Sequence, residues 1–570
     1  MGAINNAGLV EVPDQIPVLI SGGGPSGLFL ALDLAQRGIR SLVIEPRLAI
    51  DLDRPRAKTT NSRTMTHLRR LGLADRLRAA APLPVAFAQD VIFCSSLTGR
   101  EIRRFSNAFQ LETGRYEPQP ECGQQIPQPL LESVLRDAVA ASTHATLLTG
   151  LRVDAFSREG AGQQVTVVDA AGNSSSVECG FLAGADGGSS TVRRGLGLRL
   201  EGGSATLSNI SILFRSSDLA TTISLDPAVQ YWVLGPGTSG MVGRMDLGRT
   251  WWAIIQGVDA EQDVDPVALV RSLVGADVEV DVVATDPWTA RMLLAPSYGH
   301  DGVYLVGDAA HQNPPWGGHG FNTCIGDAAN LAWKISAVLE GWAGPALLAS
   351  YEHERRPIAE RTINDAAANG KALAYHFANP ALASAGPVGD AARLSAREAL
   401  GVKRSEFDSL GLVLGYSYAA SPIVVPDGSP VPVEDPIRYL PSACPGALLP
   451  HAWLKDSTSV YDLLGTGFTL LVDAEALEDA GVESAYDPVL AAAAAQGVPL
   501  TVREVGPDAT GVFMRDLWAA DAVLVRPDQH VAWRGSSAEA VADALRVATG
   551  WARSDSQETK EAARADAVIS

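Results

Sequence analysis

The 570-residue chain has little cysteine, no long apolar run and a shortage of positive charge. Its five cysteines (94, 122, 179, 324, 444) are scattered, and no two form a Cys-x-x-Cys pair. Neither a zinc knuckle nor a dithiol redox centre is expected, and reduced thiols point to the cytoplasm. Nowhere do about 18 apolar residues run together, so no membrane span is expected. The first residues, "MGAINNAGLVEVPDQIPV", lack the basic and apolar regions of a secretory signal. Lys plus Arg number 45 against 65 Asp plus Glu, a net charge of -20. Such a surface repels phosphate backbones, which excludes nucleic acid as an expected partner.

Apolar residues are abundant, at 46% of the chain, enough for several cores. "IPVLISGGGPSGLFLALDLAQRGIRSLVIEPR" reads as strand, glycine turn, helix, strand, because Leu28, Ala31, Leu32 and Ala35 recur at helical spacing. Gly22-x-Gly24-x-x-Gly27 lies at the turn, followed by Pro25 and Ser26 at the helix start. Gly22 allows the turn, Gly24 lets a pyrophosphate approach the backbone, and Gly27 lets helix and strand pack closely. Glu45 closes the second strand, where it can accept from a ribose hydroxyl, with Arg47 two residues on. A second match, "GPGTSG" at 235 to 240, is followed by no helical periodicity and reads as a hairpin turn. Glycine at 237 is expected there for a positive φ.

"GDAAHQNPPWGGHGFN", residues 307 to 322, crowds four glycines, two adjacent prolines and two histidines into one stretch. No helix or strand tolerates that mixture. Behind it, Ile325, Ala328, Leu331, Ala332, Ile335 and Val338 follow helical spacing, so a helix N-terminus points at the loop. His311 and His319 have no third ligand nearby, and no metal is expected. His311 reads as a locally bonded loop residue and Asp327 as a first-turn acid complementing the helix dipole.

Three stretches together carry a resemblance: the glycine turn, "GADGGSSTVRRGLG" at 184 to 197, and "YLVGDAAHQNPPWGGHGFN". They resemble the motifs of group A flavoprotein aromatic hydroxylases, in the phenol hydroxylase and dichlorophenol monooxygenase branch. The resemblance runs from about residue 17 to about 545. It implies an α/β fold: a Rossmann-like FAD-binding domain interleaved with an antiparallel-sheet substrate domain, plus a C-terminal thioredoxin-like domain. The expected boundaries are 1–90, 121–200 and 291–410 for the FAD-binding parts, 91–120 and 201–290 for the substrate domain, 425–550 for the C-terminal domain and 551–570 for a flexible tail.

The same resemblance implies FAD as cofactor and NAD(P)H as co-substrate. Ring hydroxylation, ortho on a phenol, would proceed through a flavin C4a-hydroperoxide with O2. Asp308 would bond the ribityl chain, Pro315 would present its carbonyl to the flavin, and Gly318, Gly320, Phe321 and Asn322 would surround the ring. Gln128 would touch the flavin or ribityl chain, and Asp186 would serve the pyrophosphate, with Arg193 nearby. Relatives are often dimers, so a homodimer is expected by analogy. Baeyer–Villiger insertion or epoxidation of a polyketide is the rival chemistry, and a flavin-binding reductase without oxygen transfer is another.

"VQYWVLG", "GMVGRMDLG" and "TWWAIIQG" read as successive antiparallel strands. In the resembling family this sheet floors the substrate pocket, which makes Trp232, Met241, Met245 and Trp252 pocket candidates, with Trp316 from the loop. Lys58, in "RPRAKTTN", stands where the relatives carry a polar substrate-facing residue, which makes it, with Pro315, a catalytic candidate for proton transfer from a phenol; from the residues alone it reads as an exposed lysine. No second dinucleotide-binding unit is visible, so NAD(P)H is expected at a transient surface site. Gly317, Gly318 and Gly320 are hinge candidates beside the ring.

Overall fold

The computed structural model describes residues 12–54, 56–205, 208–258, 264–477 and 482–552. Most of the expected tail therefore lies outside the described residues. Strand β1 (Gln15–Ser21), helix α1 (Pro25–Gln36) and strand β2 (Ser41–Glu45) form the first unit. Both strands are apolar runs buried on two faces, as a covered parallel sheet requires. They join β3 (Ala145–Thr149), β4 (Ser174–Gly184) and β5 (Val303–Leu305). The order is β5-β4-β1-β2-β3, with every neighbouring pair parallel.

Register decides what this sheet presents. Ser21 lies opposite both Ile44 and Gly184, and Gly184 lies opposite Leu305. The carboxyl ends are therefore level, and the glycine turn, Glu45, Asp186 and Asp308 all leave the sheet at one edge. Ligands of open α/β sheets bind at that edge. Helix α2 (Gly320–Leu339) packs beside α1, and α3 (Ala346–Gly370) packs on α2.

A second sheet has seven strands, in the order Asp281–Trp288, Ser208–Arg215, Thr250–Val258, Ser239–Arg244, Gln230–Leu234, Val91–Cys94 and Glu101–Phe105. All pairs are antiparallel except Gln230–Leu234 with Val91–Cys94. Alternation sorts its two faces. Tyr231, Val242, Trp251 and Ala253 pack with Val270, Leu273 and Val274, on the helix Pro266–Val274. Trp232, Met241 and Trp252 face the other way.

Glu201–Ser204 leaves the large sheet and pairs with Arg291–Leu294, which also pairs with His311–Gln312. Leu373, Leu382, Leu400 and Phe407 pack into the aromatic face of the seven-stranded sheet. The 370–407 segment thus completes that sheet's core, because the sheet's second apolar face needs a cover.

At the C-terminal end, Leu500–Val505, Phe468–Asp473, Ala522–Val525 and Val531–Gly535 form a four-stranded sheet. Its first pair is parallel and the other two are antiparallel. It is joined to helices α2 and α3 by a buried charge cluster. The Glu354 carboxylate accepts from Lys334 Nζ at 2.7 Å, from both terminal nitrogens of Arg526 at 2.7 and 2.8 Å, and from Ser421 Oγ at 2.6 Å. Asp528 accepts from Arg526, Asn330 and Trp333. All four ionic side chains are at most 3% exposed, and two cations balance two anions. Burial works to raise the Glu354 pKa, but Arg526 and Lys334 outweigh it and hold the group at about 2.

Removing one member of such a set leaves charge buried without a partner. Glu354→Ala should therefore cost about 3–5 kcal/mol, read as a fall in the urea midpoint of unfolding. A midpoint equal to wild type would refute the view that this cluster fastens the C-terminal sheet.

Candidate active site

At the carboxyl edge of the parallel sheet lies a cavity of about 410 Å³. Gly22, Gly24, Pro25, Ser26, Glu45, Arg47, Gln128, Asp186, Asp308 and Phe321 all line it, together with Arg56 and Arg152. The three glycines divide the work. Gly22 has φ +106°, and a Cβ there would stand 2.3 Å from the Ala185 carbonyl oxygen. At Gly27 a Cβ would meet the Gly22 oxygen at 2.0 Å. At Gly24 it would meet nothing within 4 Å, so that backbone faces the open cavity. The first two glycines serve the fold, and the third keeps space for an occupant.

The acids at the edge are pinned. Glu45 accepts from Gly23 N–H at 2.7 Å and from Arg47 N–H and Nε at 2.9 and 2.6 Å. Burial pushes its pKa up, but the bonds from Arg47 and Gly23 prevail and hold it below the usual value. Arg47 also reaches Glu132 at 3.0 Å. Asp186 caps the short helix Thr191–Gly195 by accepting from Thr191 and Val192 N–H with one oxygen. Its other oxygen, Oδ1, is buried and has no hydrogen-bond partner. Arg193 is turned away from the cavity: its guanidinium donates to the Ala309 and Gly188 carbonyls, tying two motifs together. Asp308 is exposed towards the cavity, with Cys324 Sγ 3.5 Å away.

The 307–322 loop is a supported structure. Gly317 and Gly318 have φ of +80° and +67°, whereas Gly320 is an ordinary first residue of α2 with no positive φ. By conformation, then, the hinge candidates are the first two. The Pro315 carbonyl accepts from Gly318 N–H at 3.1 Å, leaving its second lone pair for another donor. Asn322 uses its side chain as a clamp, donating to the Gly318 and Thr59 carbonyls at 2.7 and 2.9 Å and accepting from Asn61 N–H at 3.0 Å.

Asp327 is a correction to the sequence expectation. It lies in the second turn of α2, fully buried, and accepts from His311 Nε2 and Arg355 Nε, both at 2.8 Å, and from Gly307 N–H at 3.2 Å. His311 makes the expected local bond, from Nδ1 to Asn313 Oδ1 at 2.9 Å, and adds a longer-range one to Asp327. Burial disfavours the imidazolium, but the Asp327 carboxylate outweighs it, so the His311 pKa is raised.

Trp232, Met241, Trp252 and Trp316, each at most 7% exposed, join one aromatic cluster, and half-buried Met245 packs against it. Trp232 stacks on Phe93 at 5.2 Å, and Phe407 meets both rings edge-on. Lys58 is a second correction. Rather than projecting into solvent, it places Nζ 4.3 Å over the Trp252 ring. Sequence reasoning missed Arg56, Arg152, Arg355 and Glu406. Glu406 is buried beside Gly317 and pairs with Lys403, whose Nζ lies 4.7 Å from the Trp232 ring. Its separation from the loop by almost 90 residues left no signal to find.

Residues 15–366 match the family described as FAD binding domain, and residues 442–552 match the aromatic-ring hydroxylase C-terminal family. The chain belongs to the FAD-dependent aromatic-ring hydroxylases. It is 32% identical to 2,4-dichlorophenol 6-monooxygenase of Cupriavidus pinatubonensis, over 92% of this chain and 94% of that one. Phenol 2-monooxygenase of a Pseudomonas species is 32% identical, covering 92% and 90%. Among solved structures, the rebeccamycin biosynthetic enzyme RebC with reduced flavin superposes with TM-score 0.83 at 34% identity, covering 94% of this chain and all of the other. The flavin-dependent monooxygenase PieE, in complex with FAD and substrate, gives 0.83 at 30%, covering 94% and 99%.

The protein is thus a flavin-dependent aromatic monooxygenase with FAD as cofactor. The cavity suits that group: Gly24 leaves backbone space, Arg47, Arg56 and Arg152 supply positive charge for phosphates, and Asp186 Oδ1 awaits a donor.

Gly24→Val should leave a folded protein that purifies without FAD, because a side chain there fills cofactor space and meets no protein atom. Gly237 has neither a positive φ nor a neighbour within 4 Å, which overturns the expected strain. Gly237→Val should leave FAD content and circular dichroism unchanged, and loss of FAD there but not at Gly24 would reverse the assignment.

Titration of the His311–Asp327 pair should also be visible. The raised His311 pKa contributes stability that is complete below about pH 6.5 and lost as pH rises through the folded value. Asp327, held low although burial opposes it, contributes above about pH 3.8 and loses that contribution as pH falls through its lowered folded value. Melting temperature should decline above about pH 6.5, and His311→Gln should flatten that decline. Parallel curves for the two proteins would exclude the pair as its source.

Proposed function

We propose that the enzyme hydroxylates a phenolic ring ortho to its hydroxyl group, with NADH or NADPH as reductant and O2 as oxidant. The observation that carries this reading is the aromatic face of the seven-stranded sheet, with Lys58 and Trp316 joining it to the flavin loop. Two relatives support the position attacked, since dichlorophenol 6-monooxygenase and phenol 2-monooxygenase are both named for a carbon beside the hydroxyl-bearing one.

When bound, FAD supplies the redox chemistry, accepting two electrons and enabling oxygen transfer. The residues of this chain bind and orient it. Gly22, Gly24, Pro25 and Ser26 offer the pyrophosphate the amino end of α1, where free N–H groups and the dipole favour anions. Gly27 keeps that end against the sheet. Glu45 accepts from the ribose with Arg47 beside it, Asp186 serves the pyrophosphate region, and Asp308 takes the ribityl chain. Gln128, Pro315, Gly318, Gly320, Phe321 and Asn322 surround the ring. Trp232, Met241, Met245, Trp252 and Trp316 exclude water from the substrate, which strengthens every polar contact inside. The C-terminal sheet is read as thioredoxin-like in fold and structural in role, in a cytoplasmic homodimer.

A polycyclic substrate is the second reading, because aklavinone 12-hydroxylase RdmE of Streptomyces purpurascens is 31% identical over 94% of the chain. Turnover under ¹⁸O2 with a panel of phenols and polycyclic aromatics separates the readings. One labelled hydroxyl on a catechol product is the expected result. Label inside a lactone or epoxide, or activity confined to polycyclic substrates, would overturn the phenol assignment.

A further inference from the structure

Lys334 and Lys403 are fully buried, whereas Lys58 is half-buried beside the aromatic cluster, and the three are not alike. Lys334 pairs with Glu354, and Lys403 pairs with Glu406. Lys58 has no carboxylate within ion-pair distance among the described residues. Its Nζ donates to the Arg56 carbonyl at 3.1 Å and lies over the Trp252 ring. An ammonium carries three donors, and one carbonyl and a ring face are modest compensation for lost water. Burial alone pushes its pKa down to about 8, with no neighbouring charge acting on it.

The backbone around Lys58 is fixed on both sides. Its own carbonyl accepts from Ile126 N–H, and the Ala57 carbonyl accepts from Gln128 N–H, each at 2.9 Å. On the other side, the Thr59 carbonyl accepts from Asn322 Nδ2. The segment is thus held between the cofactor cavity and the flavin loop, while the side chain crosses to the sheet floor. A cation so placed has a rigid base, unspent donors and an aromatic wall.

We infer that Lys58 is the specificity-determining residue for charge: it takes the anionic oxygen of an aromatic substrate, a phenolate or a ring carboxylate. This rests on the aromatic cluster being the substrate site, and it deepens the proposed function by naming the ionic form bound. The ammonium would donate to that oxygen, with Trp252 beneath and the Arg56 carbonyl fixing its direction. A ring bound as phenolate is more electron-rich than the phenol, which suits transfer of an electrophilic oxygen.

The test uses the full-length, FAD-loaded protein and three probes of similar shape: 4-nitrophenol, 4-nitrobenzoate and uncharged 4-nitroanisole. Equilibrium dialysis gives affinities, and the phenolate absorbance band of bound 4-nitrophenol reports its ionisation directly. Wild type should bind an anionic probe better than nitroanisole and should ionise bound nitrophenol at lower pH than free nitrophenol. Lys58→Met should weaken anion binding by ~10-fold or more, the worth of a charge-assisted hydrogen bond. It should abolish the ionisation shift while leaving nitroanisole affinity and FAD content unchanged, and Lys58→Arg should restore part of the anion binding. Loss confined to nitrobenzoate identifies a carboxylate as the anion; loss for nitrophenol identifies a phenolate. Unchanged anion binding in Lys58→Met, or equal loss of all three probes, overturns the proposal. Failure to hydroxylate any phenol while Lys58→Met still loses the anionic probes overturns the phenol-hydroxylase reading and leaves the role of Lys58 intact.

Discussion

One carboxylate, that of Asp327, ties three separate pieces of the chain to one point. Its two oxygens take the imidazole of His311 from the loop, the guanidinium of Arg355 from the neighbouring long helix, and the Gly307 amide at the start of the Gly-Asp turn. A buried charge is tolerated only when its lone pairs are filled, and here they are. The consequence reaches the cavity. With Gly307 and His311 fixed, Asp308 between them faces the cofactor cavity, and the chain leaves His311 on course for the prolines and glycines beyond.

A second layer of support meets the loop from outside. Asn322 bonds Gly318 and the Thr59 strand, and Glu406 lies against Gly317. Glycine freedom at 317 and 318 is therefore spent on a defined turn of two left-handed residues, with the Gly318 carbonyl tied to Asn322. The Lys403–Glu406 pair also touches the aromatic cluster through Trp232, so loop and sheet floor share a wall. Contacts of this kind position a loop more narrowly than its own sequence could.

What could be read from the sequence was local. The glycine turn with its strand, helix and Glu45 was legible because each part lies within a few residues of the next. The helix after Phe321 was legible because its apolar spacing is long and regular. The antiparallel strands were legible too, but their faces were not: period-two alternation sorts Trp232 from Tyr231 without saying which side is the pocket. Pairings across sequence were invisible: the local bond of His311 to Asn313 was legible, but its second bond, to Asp327 16 positions away, was not. Lys58 was misjudged for the same reason, since only the fold brings Trp252 beneath it. The roles of single residues towards flavin and substrate stand as proposals, while family, cofactor and reaction class follow from the whole-length likeness.

The ion set between the long helices and the last sheet also bears on modularity. Lys334, Glu354, Arg526 and Asp528 cancel one another only as a foursome, and Arg63 adds bonds to the Asp528 carbonyl and Gln529. The first two sit on one side of the junction and the last two on the other. Grafting the C-terminal portion of a relative onto this chain would separate those halves unless the donor carries the same charges. The junction thus behaves as a keyed joint: recombination within the family is restricted by four side chains that take no part in the chemistry.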